Sequence, residues 1–315
     1  MAMEQDPRGG TGELDSTALA DSGILVDGPV GEDSPEEASR LLREALRRAP
    51  LPSLSGLAFE IMGLAWVFGG ALGLLCVSAL VPVERRVSTT FESLLPGAAP
   101  EGLLIWLVAV VSTVLFSVRV AAGLARIASK GKGQSAGANA VRAFRLGGRI
   151  QVSAFAVWLQ IFGMMACATV VLLAPFVLLS SIVQVEVLRP LWVVLDGLGL
   201  TFALCYGAAL GAVQELAMAS LVRHERGTGS AILHAWRLMR NKRLTASRMA
   251  VVEMATRVAI VATAWAVGEL ASVWLGIGQL LVFGALVGGL RCQAWALAFP
   301  RIGGLEAETT QPLAD

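Results

Sequence analysis

Charge is scarce in this chain. Asp, Glu, Lys and Arg make up 16% of its 315 residues, against about 25% in an ordinary soluble domain. Lysine is nearly missing, with three residues to 22 arginines, and there are one tyrosine and two histidines. The four cysteines (Cys76, Cys167, Cys205 and Cys292) show no CxxC spacing and lie in apolar stretches. Neither a disulfide framework nor a thiolate metal site is expected from them. No HExxH string is present, and no carboxylate or cysteine stands at ligand spacing from His224 or His234. The string GKGQS at 131–135 lacks Walker spacing and a preceding strand. No cofactor, metal ligand or catalytic residue is therefore expected, and no nucleic-acid partner.

Long apolar runs dominate instead, with 55% hydrophobic residues. Runs of about 20 residues cross a hydrocarbon core roughly 30 Å thick. Six such spans are expected, at 58–82, 103–125, 152–183, 191–222, 250–273 and 277–299. They lack the period-2 alternation of barrel strands, so the fold class is an all-α, polytopic membrane protein. The third and fourth spans are long and should tilt, project or bend, with Pro175 as a natural bend point. The fifth and sixth should form a tight hairpin around Ser272–Gly276.

Charge placement sets the expected direction. Segments 1–57, 126–150, 223–249 and 300–315 together hold 19 of the 25 Lys and Arg. The positive-inside rule puts both termini and both basic loops in the cytoplasm. Residues 1–37 hold ten acids and one base, Arg8, and read as a disordered acidic tail without a leader peptide. An amphipathic helix is expected over 38–57, and a short cytoplasmic tail over 300–315. The arginine bias fits a high-GC bacterial genome, hence a bacterial cytoplasmic membrane.

The two basic loops resemble each other. A shift of 95 residues aligns SAGANAVRAFR (135–145) with SAILHAWRLMR (230–240), with five of eleven positions identical. REALRRAP (43–50) is a weaker third copy. The unit is a basic amphipathic helix followed by two spans, used three times. In the segment 227–246, Ile232, Ala235, Trp236 and Met239 share one helical face and arginines occupy another. Ser230 or Thr228 is placed to cap it. Such a helix rests in the headgroup layer, its arginines toward anionic phosphates. The candidate lipid contacts are Arg142, Arg145 and Arg149 in segment 131–149, and Trp236, Arg237, Arg240, Lys242 and Arg243 in the second copy.

The order of crossing helix, basic A-[VW]-R-x-x-R helix and next crossing helix resembles a group of bacterial polytopic proteins. These are similar to the membrane domain attached to some glycerophosphoryl diester phosphodiesterases. The stretch LHAWRLMRNKR (233–243) carries the likeness, which covers roughly 102–250. The chain leaves no length for the soluble phosphodiesterase barrel, so neither that activity nor its catalytic residues are implied.

Ionisable residues inside spans are costly and are functional candidates by default. Six fall in the expected cytoplasmic half: Glu60, Arg119, Glu215, Glu253, Arg257 and Arg291. Three acids and three bases permit mutual neutralisation, and Glu253 and Arg257 are a favourable i,i+4 pair. One reading makes them an ion-pair network fixing helix neighbours; another makes them the lining of a polar cavity. GGALG (69–73), GAALGA (207–212) and GALVGG (284–289) permit close helix packing. Three functions remain open: a non-catalytic organiser of lipid, partner proteins or its own oligomer; a transporter or channel; and an intramembrane enzyme acting on phospholipid.

Overall fold

Every long helix is apolar along almost its whole length and closes its own backbone hydrogen bonds, as a bilayer demands. The computed structural model describes residues 33–48, 52–78, 100–129, 140–182, 189–224 and 226–303. The helices are α1 (Pro35–Arg47), α2 (Leu54–Gly63), α3 (Ala65–Ser78), α4 (Pro100–Ser129) and α5 (Ala140–Gly147). A 3₁₀ turn at Gly148–Ile150 leads into α6 (Gln151–Ile182), followed by α7 (Arg189–His224), α8 (Thr228–Asn241), α9 (Arg243–Leu270) and α10 (Val273–Arg301). Among the described residues there is no strand. Among the described residues five helices are long and apolar enough to cross a membrane, or six if α2 and α3, bent by 43° at their junction, count as one span. The chain is an all-α, multi-pass membrane protein.

Local chemistry sets several boundaries. Ser34 accepts a hydrogen bond from the Glu37 amide at 3.2 Å, and Pro35 starts α1. The helix thus begins inside the stretch expected as acidic tail; residues 1–32 lie outside the described residues. The single helix expected over 38–57 is instead two, because Ser53 caps a new helix at Leu54 by accepting from the Gly56 amide at 3.1 Å. Ser272 caps α10, accepting from the Trp274 amide at 3.3 Å, and this closes the expected hairpin. α8 differs from expectation: its N-cap is Gly227, with no side-chain cap, and the Ser230 hydroxyl donates back to the Gly227 carbonyl. It ends at Asn241, so Arg243 opens α9 rather than extending the short helix. α6 runs unbroken through Pro175. Residues 130–139, Glu225 and 304–315 lie outside the described residues.

The threefold unit is visible in the packing. Each short basic helix lies on the helical hairpin that precedes it: α5 on α4 and α2, α8 on α7 and α6. α1, with no hairpin before it among the described residues, lies on α9 and α10, the last one, which closes the circle. Its Ala38, Leu41 and Ala45 are at most 3% exposed there, and the Thr245 amide and hydroxyl donate to Asp33 Oδ1 and the Ser34 carbonyl.

Glycines bring the helices together. A β-carbon on Gly56 would run into the Ala285 carbonyl, and one on Gly288 into the Gly56 carbonyl, so α2 and α10 touch backbone to backbone. Gly69 and Gly73 do the same for α3 against α6. The outer faces stay apolar: the most hydrophobic windows of the spans are only 22–39% buried within the protein, which leaves the remainder for lipid tails. Replacing Gly288 with Leu should cost about 1–3 kcal/mol by overpacking, read as a lower detergent-unfolding midpoint. Gly278→Leu, on the same helix with open space at its β-carbon, should leave that midpoint unchanged.

Candidate functional site

Five of the six intramembrane charges meet at one point. Arg257 Nε donates to Glu60 Oε1 at 2.5 Å, and its Nη2 lies 2.9 Å from Glu253 Oε1. Arg291 spreads its guanidinium over three carboxylates. Nη1 donates to Glu60 Oε2 at 2.6 Å, Nη2 to Glu215 Oε1, and Nε lies 2.7 Å from Glu253 Oε1, off the hydrogen-bond line. All five side chains are at most 8% exposed. The i,i+4 pairing of Glu253 with Arg257 is present as expected. The set has one carboxylate more than guanidinium, because Arg119 stands elsewhere.

Why the network forms here follows from the break in the first span. Gly63 ends α2 one turn past Glu60, and a β-carbon there would occupy the Arg291 guanidinium itself. The Met62 carbonyl beside the break accepts from Gln214 Nε2 of α7 at 2.9 Å. The kink is thus caused by inserted side chains next to a glycine. Trp295, one turn after Arg291, donates its indole N–H to Glu253 Oε2 at 3.0 Å. Neither Gln214 nor Trp295 was picked out from sequence. The available signal was a Gln adjacent to Glu215 and a Trp four residues after Arg291, each needing a partner in an apolar span.

A cleft of about 40 Å³ reaches the network between α9 and α10, under Leu42 of α1, with Glu253, Arg291 and Trp295 in its wall. That is room for a few water molecules. Small-molecule sites usually span about 300–1,000 Å³. The guanidinium donors already face carboxylates, so the arrangement is suited to locking helices.

Arg119 belongs to a different structure. Its Nε donates to the Phe144 carbonyl at 2.9 Å and its guanidinium lies 3.9 Å from the centre of the Phe144 ring. It joins α4 to α5 and does not enter the six-charge set expected. The candidate lipid contacts lie largely in the open: Arg142, Arg145, Arg149, Arg237, Arg240 and Arg243 are exposed, and Trp236 and Lys242 half-buried. The apolar face of α8 departs from expectation. Ala231, Ile232, His234, Ala235 and Leu238 are buried against the bundle, so that face packs on protein. His224 and His234 come within 5.9 Å, edge-on, and His234 Nδ1 is 3.0 Å from the Ser220 hydroxyl. Among the described residues no group of three or more His, Cys, Asp or Glu is placed to hold a metal.

The string GQSAG (133–137) has G-x-S-x-G spacing that sequence reasoning passed over. That motif acts on a strand-to-helix turn; the string lies outside the described residues, which hold no strand. No family model, curated protein or solved structure matches the chain.

Arg291→Gln should cost about 3–5 kcal/mol, because it leaves buried carboxylates uncompensated. Unfolding in mixed detergent micelles measures this. The double variant Glu215→Gln/Arg291→Gln should lose less than the sum of its single variants, since the two groups share one contact.

Proposed function

We propose that this protein is a non-catalytic organiser of a bacterial cytoplasmic membrane. It gathers anionic phospholipid, and through it partner proteins or further copies of itself, around its basic end. The observation that carries this reading is the orientation of α5 and α8. Ala143 and Gly147 of α5 and Ala231, Ile232, Ala235 and Leu238 of α8 are buried, while Arg142, Arg145, Arg237 and Arg240 on these helices and Arg149 and Arg243 just after them are exposed, with no acid in either helix. At about 1 kcal/mol for each base near an anionic leaflet, six arginines contribute on the order of 6 kcal/mol. The skewed distribution of Lys and Arg supports placing this end, and both termini, on the cytoplasmic side. The likeness to phosphodiesterase-linked membrane domains fits a lipid-facing role without adding an activity.

A second reading, a transporter or channel using the Glu/Arg network, is favoured by the rarity of charge at that depth. It is disfavoured by a network that closes on itself and a cleft of only about 40 Å³. Extraction of the full chain with its surrounding lipid in polymer-bounded discs decides between them. Anionic phospholipid should be enriched around the protein relative to the whole membrane. Replacing the six outward arginines with Gln should remove that enrichment while the fold persists. Lipid matching the bulk membrane, together with liposome flux abolished by Glu215→Gln, would overturn the organiser reading in favour of transport.

A further inference from the structure

The charge network has one edge that its own members do not satisfy. Arg291 Nε lies 2.7 Å from Glu253 Oε1 but off the hydrogen-bond line, and among the described residues neither atom has a hydrogen-bond partner. Both side chains are more than nine-tenths buried, at 4% and 8% exposed. They stand together in the wall of the cleft between α9 and α10. Its volume of about 40 Å³ takes about three water molecules. Buried water settles where polar atoms would otherwise go unsatisfied. A water here can accept from Arg291 Nε and donate to Glu253 Oε1. Thr256, also in the wall, donates its hydroxyl to the Val252 carbonyl at 2.8 Å and keeps its oxygen as an acceptor for another.

The contacts divide the network unevenly. Glu60 accepts from Arg257 and Arg291, and Glu215 accepts from Arg291, which makes a set of two acids and two bases. Glu253 is the third acid, and of the three carboxylates it is the one that lines the cleft. Its other oxygen, Oε2, accepts from a neutral donor, the Trp295 indole, at 3.0 Å. Around Glu253, α2 offers Glu60, α7 Glu215, α9 Arg257 and α10 Arg291, while α1 covers the cleft with the apolar side chain of Leu42. An acid beside water within a span is the arrangement by which membrane proteins handle protons.

We propose that the cleft is a hydrated port through which Glu253 takes up and releases one proton. A hydronium ion in the cleft gives its proton to Glu253 Oε1 and remains as water. The new O–H turns to that water, and Oε2 keeps its bond from Trp295. Glu60, Glu215, Arg257 and Arg291 then stand as two acids against two bases. The site binds a proton without carrying it across the bilayer, and it stands whether or not the basic end gathers lipid.

Infrared difference spectroscopy of the full chain in lipid nanodiscs, acidified stepwise, tests it. Among the carbonyl bands of protonated carboxyls that appear, one should be missing from Glu253→Gln, whose amide oxygen still accepts from Trp295. Trp295→Phe should move the same band to higher frequency, because the acid carbonyl loses a hydrogen bond. In D₂O that band should shift in the folded protein, since cleft water exchanges with the bulk. Thr256→Leu, which fills the cleft and removes no charge, should slow that exchange severalfold. Thermal melting of each variant close to that of the unaltered chain separates loss of the proton site from loss of fold. Should Glu253→Gln fail to fold, the shift in Trp295→Phe decides. The site is overturned if no band is lost in Glu253→Gln, if none moves in Trp295→Phe, or if the band exchanges in D₂O only on unfolding.

Discussion

A charge taken into a bilayer must find its opposite at the same depth, and in this protein that requirement selects which helices stand together. Arg291 contacts Glu60, Glu215 and Glu253, which belong to α2, α7 and α9. These helices come from the first, second and third repeats. One guanidinium therefore ties all three repeats at a single point. The break at Gly63, the Gln214 bond to the Met62 carbonyl and the Trp295 bond to Glu253 all serve that point: one makes room for it and two satisfy polar groups around it. An apolar helix surface gives little preference among neighbours in lipid, since lipid tails compete on equal terms. The ion network supplies the preference that packing alone does not.

The repeats are alike in layout and unlike in chemistry. Each short helix sits on a hairpin, yet α5 and α8 bear only bases, whereas α1 pairs Arg48 with Glu44 at 2.5 Å and carries Glu36 and Glu37 in its first turn. The first two therefore present uncompensated charge to their surroundings, and the third mostly covers the ends of α9 and α10. Arg119 shows the same divergence on α4: an arginine within a span that serves its own short helix and takes no part in the common network.

Much of this was legible in the sequence. Apolar run length marked the spans, and the i,i+4 spacing of Glu253 and Arg257 marked one edge of the network. The similarity of 135–145 to 230–240 marked the repeat. What stayed hidden depended on the angular positions of helices about one another. Periodicity places a residue on a face of its own helix and says nothing about which helix that face meets. Arg119 and Glu60 lie on adjacent spans, and only the docking of α5 through Gly123 and Gly147 shows that Arg119 turns to Phe144 instead. The kink at Gly63 was hidden for the same reason: a glycine in a hydrophobic run carries no mark of the arginine from α10 that fills its place. The face expected on α8 was Ile232, Ala235, Trp236 and Met239; the buried one is Ala231, Ile232, His234, Ala235 and Leu238, a rotation that only the packing of α8 against α7 reveals.

The seat of α1 has a consequence for how the molecule is made. α1 precedes every span in the chain, yet the surface that buries Ala38, Leu41 and Ala45 is built from α9 and α10, the last two helices. During synthesis that surface does not exist until nearly the whole chain has emerged. Among the described helices, the first to leave the ribosome therefore waits for the last two before it can be seated.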